Sequence, residues 1–265
     1  GLDWPAASGT ARLSPHKDSM VPENPTSSPV LPHDLTAIVP CYNAGDRLRP
    51  VAEGILARLS RLIIVDDGCT DHSIDSLRDL PVDILALTPN RGKGHALLAG
   101  LRRGLEDPDC AALCLLDADG QHNPAEIPRL YDAFRDSGAD LVIGARVFNG
   151  GHIPWRSRFG NKITILATAL LLRHRLPDTQ CGFRLLSRSF AERVVAAIEG
   201  GRYETEMAII ALAIRERRKI ISVPISTIYE EGNVCSHFRK FQDSYRIYAR
   251  LFRAGWAAWL RPAKM

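Results

Sequence analysis

From Leu35 onward the chain alternates short apolar runs with polar turns and stretches of helical period, and few architectures accept that pattern. The runs are Leu35–Val39, Leu62–Val65, Val82–Leu87, Ala111–Leu116 and Leu141–Ile143. Helical stretches are expected at Arg47–Leu59, Ser73–Leu77, Gly94–Leu105 and Ala125–Ser137. Asp71 suits the cap of the second, and Asn123-Pro124 supplies a cap and a first-turn proline for the fourth. Strands that read as continuous apolar runs are buried on both faces, so the expected class is α/β with a mostly parallel central sheet under helices on both sides. Sites in such sheets lie at the carboxyl ends of the strands. After Gly150 the alternation weakens: a helix is expected over Asn161–Arg173, another over Glu204–Arg218, a strand near Ile220–Ile228 and an amphipathic helix from Phe241 to Arg253.

Neither an internal repeat nor a second domain is evident, and 265 residues suit one domain over residues 35–253. Residues 1–34 carry six prolines among Ser, Thr and Ala and read as a disordered lead-in, with Met20 a candidate natural start. Residues 254–265 form a C-terminal tail. The six cysteines include no CxxC pair and no secretory signal precedes them, which points to reduced thiols and a cytoplasmic chain. A net charge of +4 is too mild for nucleic-acid binding but favours an anionic substrate or membrane surface. The longest apolar run, Ile163–Leu172, is far shorter than the roughly 20 residues that cross a bilayer.

Chemistry concentrates at the strand ends. Behind Ala111–Leu116 stands Asp117-Ala118-Asp119-Gly120-Gln121-His122. Two carboxylates one residue apart, with a glutamine oxygen nearby, are hard ligands for Mg²⁺ or Mn²⁺, and Gly120 permits a sharp turn; a solvated acidic turn is the competing reading. Val65-Asp66-Asp67-Gly68-Cys69-Thr70-Asp71 offers a carboxylate to a base or ribose, or a helix cap. Val39-Pro40-Cys41-Tyr42-Asn43 places a tyrosine where it can flank a base. Asn90-Arg91-Gly92-Lys93-Gly94 precedes a helix and suits a ligand phosphate, although it lacks Walker A spacing. No GxGxxG follows the first strand, so a dinucleotide cofactor is unsupported.

With Asp178-Thr-Gln-Cys-Gly-Phe-Arg184 and Tyr203-Glu-Thr-Glu206, these motifs stand in the order found in family 2 glycosyltransferases. From Leu35 to Leu251 the chain resembles the branch that holds dolichyl-phosphate mannose synthases and other polyprenyl-phosphate glycosyltransferases. The resemblance implies a GT-A, Rossmann-like three-layer sandwich. It implies a nucleotide pocket of Pro40, Tyr42, Asn43, Asp66, Asp67 and Lys93, and a Mg²⁺ or Mn²⁺ site of Asp117, Asp119 and Gln121. Arg146 and Arg156 or Arg158 resemble the arginines that hold an acceptor phosphate, and Asp178 orients the acceptor or acts as a base.

The sequence departs from the family at Tyr42-Asn43-Ala44, where Glu often follows Asn, and at Tyr229–Phe238, where His237 with Arg239 and Lys240 is left to meet the diphosphate or to cap a helix. The implied activity is metal-dependent, inverting transfer of a hexose from a nucleotide-diphosphate sugar to a polyprenyl phosphate at a membrane surface. Arg250, Arg253 and Arg261 among Leu251, Phe252, Trp256, Trp259 and Leu260 suit that interface, or else a core or oligomer contact. Transfer to a sugar or alcohol hydroxyl, with Asp178 as base, is the second reading, and a catalytically silent nucleotide-binding module the third. On the pocket reading, Asp67→Ala raises the donor dissociation constant and leaves melting nearly unchanged.

Overall fold

The computed structural model describes residues 33–146, 176–201, 204–226 and 228. Seven strands form one sheet: β1 Leu35–Cys41, β2 Leu62–Asp66, β3 Asp83–Ala86, β4 Ala112–Leu115, β5 Leu141–Arg146, β6 Arg184–Ser187 and β7 Ile220–Ile225. The helices are α1 Leu48–Leu56, α2 Lys93–Leu105, α3 Ile127–Ser137, α4 Arg188–Ala197 and α5 Glu204–Arg215. The spatial order of the strands is β3-β2-β1-β4-β6-β5-β7. All pairings are parallel except those of β6, which runs antiparallel to both β4 and β5.

The sheet separates two apolar layers, as the continuous apolar runs require. On one face Val51 and Ile55 of α1 and Ile127 and Leu130 of α3 pack on Ala37, Val39, Ile64 and Cys114. On the other, Leu97 and Leu101 of α2, Phe190 and Val194 of α4 and Ile209 of α5 pack on Ile38, Val65, Leu113 and Leu186. The expected three-layer α/β sandwich is thus present among the described residues.

Several local expectations change. Ser73–Leu77 is not a helix but a single 3₁₀ turn at Asp75–Leu77, because Arg49 of α1 takes the Ser76 carbonyl at 2.6 Å and Pro81 follows closely. Asp71 therefore caps no helix there; its carboxylate accepts from the Ser73 and Gly45 amides, tying the β2 and β1 loops together. Asn123 does act as a cap, accepting from Ala125 N–H at 3.0 Å ahead of Pro124. Helix α5 ends at Arg215 and β7 at Ile225, both short of the expected limits. Strand β6 and helix α4 were not anticipated. Ser187 starts α4 by accepting the Phe190 amide at 3.2 Å. The helices expected at 161–173 and 241–253, the lead-in up to residue 32 and the tail at 254–265 lie outside the described residues. Among the described residues no helix is long and apolar enough to cross a membrane.

Candidate active site

The chain leaves β1 for β2 and β3 on one side and returns to place β4 on the other, so a crevice opens beyond the carboxyl ends of β1 and β4. Antiparallel β6 adds to it from the opposite direction. Its first residue, Arg184, pairs with Leu115 near the end of β4 and with Ile143 in β5, which brings the 178–183 segment to the same end of the sheet.

One wall of the crevice comes from β1 and β2. Pro40 is buried within β1 opposite Val65, and Tyr42, just past the strand, is 38% exposed. Asn43 adopts a left-handed backbone conformation, φ 52°, and its amide is spent on the neighbouring loop: Oδ1 accepts from Thr70 N–H at 2.8 Å. Asp66 Oδ1 accepts from Cys69 N–H at 2.7 Å, closing the turn after β2. Asp67 is buried, and its two oxygens accept the Arg91 and Gly92 amides, each at 2.8 Å. The expectation that Asp67→Ala leaves melting unchanged is corrected by this geometry, since the carboxylate holds the loop ahead of α2 in place.

That loop delivers Lys93, the first residue of α2, to the acidic turn behind β4. Lys93 Nζ lies 2.6 Å from Asp117 Oδ1 and 3.1 Å from Glu206 Oε1. Burial opposes the Asp117 charge, but the Lys93 ammonium overrides it and holds the carboxyl down at about 2, helped by the Arg184 guanidinium. The same two carboxylates hold the Lys93 ammonium well above its ordinary range against its own burial. Asp119 moves the other way: burial, and then the Asp117 charge, raise it. Asp119 Oδ1 accepts from Gln121 N–H at 3.0 Å, and Gly120 makes the turn at φ +77°. Buried His122 accepts the Asp117 amide at Nδ1, 3.2 Å, which leaves the proton on Nε2, facing Cys181 Sγ at 3.7 Å; burial pushes this imidazole toward the neutral form.

Asp117 reaches its position because residue 182 is glycine. A Cβ there would stand 2.7 and 2.9 Å from the two Asp117 oxygens, inside any real contact distance. Among the described residues no group of three or more His, Cys, Asp or Glu is gathered into a cage. The fit to a divalent cation rests on two hard carboxylates close enough for Asp117 to raise Asp119 and on the neutral oxygen that the Gln121 side chain carries, with the Lys93 ammonium paired to Asp117 Oδ1.

Arg146, at the end of β5, and Asp178 are brought together. Arg146 Nε donates to Asp178 Oδ2 at 2.6 Å and Nη2 to Oδ1 at 3.1 Å, while Gln180 N–H donates to Oδ1 at 3.0 Å. The Asp178 side chain is wholly buried, whereas that of Arg146 keeps 19% of its surface exposed. Sequence reasoning treated Arg184, Gly182, His122 and Glu206 only as parts of motifs. Arg184 is fully buried and, among the described residues, has no carboxylate partner at hydrogen-bond distance, its guanidinium donating to the carbonyls of Cys181, Glu206 and Thr179 at 2.9, 2.6 and 3.1 Å. It thereby locks the 178–183 loop to the start of α5. Arg156, Arg158 and His237 lie outside the described residues.

A family model described as Glycosyl transferase family 2 matches residues 36–195. The undecaprenyl-phosphate mannosyltransferase of Micrococcus luteus is 32% identical over 209 residues, covering 74% of this chain and 84% of that one. The polyprenol monophosphomannose synthase of Mycolicibacterium smegmatis is 32% identical over 214 residues, with coverage of 74% and 78%. A dolichyl-phosphate N-acetylglucosaminyltransferase of Methanococcus voltae is 28% identical, with coverage of 81% and 93%. Among solved structures, the glucosyl-3-phosphoglycerate synthase of Mycobacterium tuberculosis in complex with Mn²⁺, uridine diphosphate and glucosyl-3-phosphoglycerate superposes with a TM-score of 0.63 at 14% identity, covering 88% of this chain and 82% of that one. At that identity the likeness is one of fold.

Proposed function

Because the chain belongs to glycosyl transferase family 2 and has the GT-A fold, we propose that it transfers a hexose from a nucleotide-diphosphate sugar, of the GDP-mannose or UDP-glucose type, to a polyprenyl phosphate. The observation that carries this reading is the Asp117 and Asp119 carboxylates behind β4, with the Lys93 ammonium on Asp117, at the same sheet end as the Arg146–Asp178 pair. The relatives named for undecaprenyl, polyprenol and dolichyl phosphates support the acceptor.

In this reading Tyr42 flanks the base, Asp66 and its turn meet the nucleoside, and Asp67 keeps the Lys93 loop in register. Asp117, Asp119 and Gln121 would hold Mg²⁺ or Mn²⁺. When bound, the ion neutralises charge that develops on the leaving diphosphate. Arg146 faces the acceptor phosphate, its guanidinium oriented by buried Asp178. The displacement is a single in-line step with inversion. A phosphate acceptor is already ionised and needs orientation, not deprotonation.

That last point separates the two acceptor classes. A hydroxyl acceptor requires a base, and Asp178, the first candidate, has both oxygens engaged by Arg146 and Gln180. The acceptor phosphate places the enzyme's working position at the surface of a membrane, reached from the cytoplasmic side. The test supplies purified protein with Mn²⁺ or Mg²⁺ and candidate donors, and offers a short-chain polyprenyl phosphate beside neutral sugars. Transfer to the lipid phosphate, lost in chelator and in Asp119→Asn, is expected. Transfer only to a hydroxyl, or full activity in chelator, would overturn the corresponding part of the reading.

A further inference from the structure

Glu206 is buried at the start of α5, 113 residues from the lysine it meets, and nothing in the transfer step described above uses it. A buried carboxylate is costly unless it is paired, so the contact of Glu206 with Lys93 has a strong physical basis. Yet Lys93 is already paired with Asp117 at the shorter distance of 2.6 Å, against 3.1 Å to Glu206. Neutralising Asp117 alone would need no second carboxylate.

Both ends of this bridge are fixed at the backbone. The start of α2 is held by Asp67 through the Arg91 and Gly92 amides, and by Gly94 N–H donating to the Gly201 carbonyl at 3.0 Å. The start of α5 is held by Arg184, which donates to the Glu206 carbonyl at 2.6 Å. Asp117 is pinned by His122 from one side and closed in by Gly182 on the other. What can change position is the four-carbon side chain of Lys93, whose ammonium faces two acceptors at once.

We propose that Glu206 is a positioning residue for the cation site, acting through Lys93: the ammonium occupies Asp117 Oδ1 until a divalent cation arrives, and Glu206 then retains it. The inference rests on the reading of Asp117 and Asp119 as cation ligands. A divalent ion and an ammonium cannot share one carboxylate oxygen without strong repulsion, so the lysine must leave as the ion binds. Glu206 gives it a destination a short distance away, and the lysine then remains inside the crevice, with its charge still beside the place where a diphosphate would lie. Without Glu206, the ammonium loses that acceptor, and the ion must compete with it at Asp117.

The test measures Mn²⁺ binding to the full chain without nucleotide, by the electron paramagnetic resonance signal of free Mn²⁺. Wild type is compared with Lys93→Met, Glu206→Gln and the double variant. Removing the competing ammonium in Lys93→Met tightens Mn²⁺ by about tenfold, and Glu206→Gln weakens it by about tenfold. In the Lys93→Met background, Glu206→Gln changes affinity by less than about twofold, because its effect runs through the lysine. Equal weakening in both backgrounds would show a carboxylate acting through space only, and would overturn the proposal. Should Glu206→Gln alone fail to fold, Lys93→Met against the double variant decides, since neither carries an unpaired buried ammonium: near-equal affinity supports the proposal, and a tenfold difference overturns it. Wild type that binds no Mn²⁺ overturns the cation-site reading along with it, whereas wild type that binds with additive variants overturns the role of Glu206 alone.

Discussion

Cutting Arg146 back to alanine would strand one of the most deeply buried charges in the protein. The Asp178 side chain has no exposed surface, and among the described residues it would keep only the Gln180 amide at 3.0 Å and the residue-146 amide at 3.4 Å. Breaking a buried ion pair by removing one partner costs about 3–5 kcal/mol, nearly all of it the desolvation of the charge left behind. Two amide donors remain and the Arg146 side chain is 19% exposed, so the lower end, about 3 kcal/mol, applies. For a chain of this size each kcal/mol moves the melting temperature by about 2–4 °C, so Arg146→Ala should melt about 6–12 °C lower. Asp178→Asn should cost less, about 1–2 kcal/mol, because the Arg146 guanidinium is partly exposed and can turn toward water. The double variant Arg146→Ala/Asp178→Asn should recover about 2 kcal/mol relative to the sum of the two, since no buried charge then lacks a partner. Calorimetric melting of the four proteins at neutral pH, without metal, reads all three numbers. Additivity within about 0.5 kcal/mol would refute the account of Asp178 as a carboxylate whose burial is balanced by Arg146.

Asp67→Ala should lower stability by about 2–4 kcal/mol in urea titrations and also weaken donor binding, because two charge-assisted hydrogen bonds to the Lys93 loop are lost; wild-type melting would contradict the loop-holding role. Gly182→Ala should weaken Mn²⁺ binding by about tenfold in the same assay as above, since the new Cβ forces the Asp117 carboxylate aside; unchanged affinity would mean that Asp117 can move freely. The pH dependence follows from Asp117, whose folded carboxyl at about 2 lies below its ordinary 3.8: its contribution is full above about pH 4 and is lost as pH falls toward 2. It amounts to about 2 kcal/mol, so metal-free wild type should be more stable than Asp117→Asn near neutrality, and the two stability curves should converge in acid. Raised Lys93 contributes through the neutral range and loses its effect only as pH climbs beyond 10.5. Curves that stay parallel from neutral pH to about pH 2 would contradict the Lys93–Asp117 pairing.

Four of the first five strands were legible because each is a local apolar run buried along nearly its whole length, and a run does not depend on its partners; β3, at the sheet edge, is half exposed and was legible from its apolar run alone. Strand β6 was not, since Arg184-Leu185-Leu186-Ser187 is four residues long and opens with a charge that only the fold shows to be answered by three carbonyls. Carboxylates at strand ends are likewise local features, and Asp66, Asp67, Asp117 and Asp119 stand in the crevice region where strand-end logic placed them. Their partners were not legible: Glu206 lies 113 positions from Lys93, and Arg146 lies 32 from Asp178. Direction explains the second of these. A parallel β6 would begin at the amino end of the sheet and carry residues 178–183 to the far side from Asp117. Running antiparallel between β4 and β5, it instead begins where they end, so its lead-in presents Asp178 to Arg146 and Gly182 to Asp117. The reversal of one short strand therefore brings the Asp117 and Asp119 carboxylates and the Arg146–Asp178 pair to one end of the sheet.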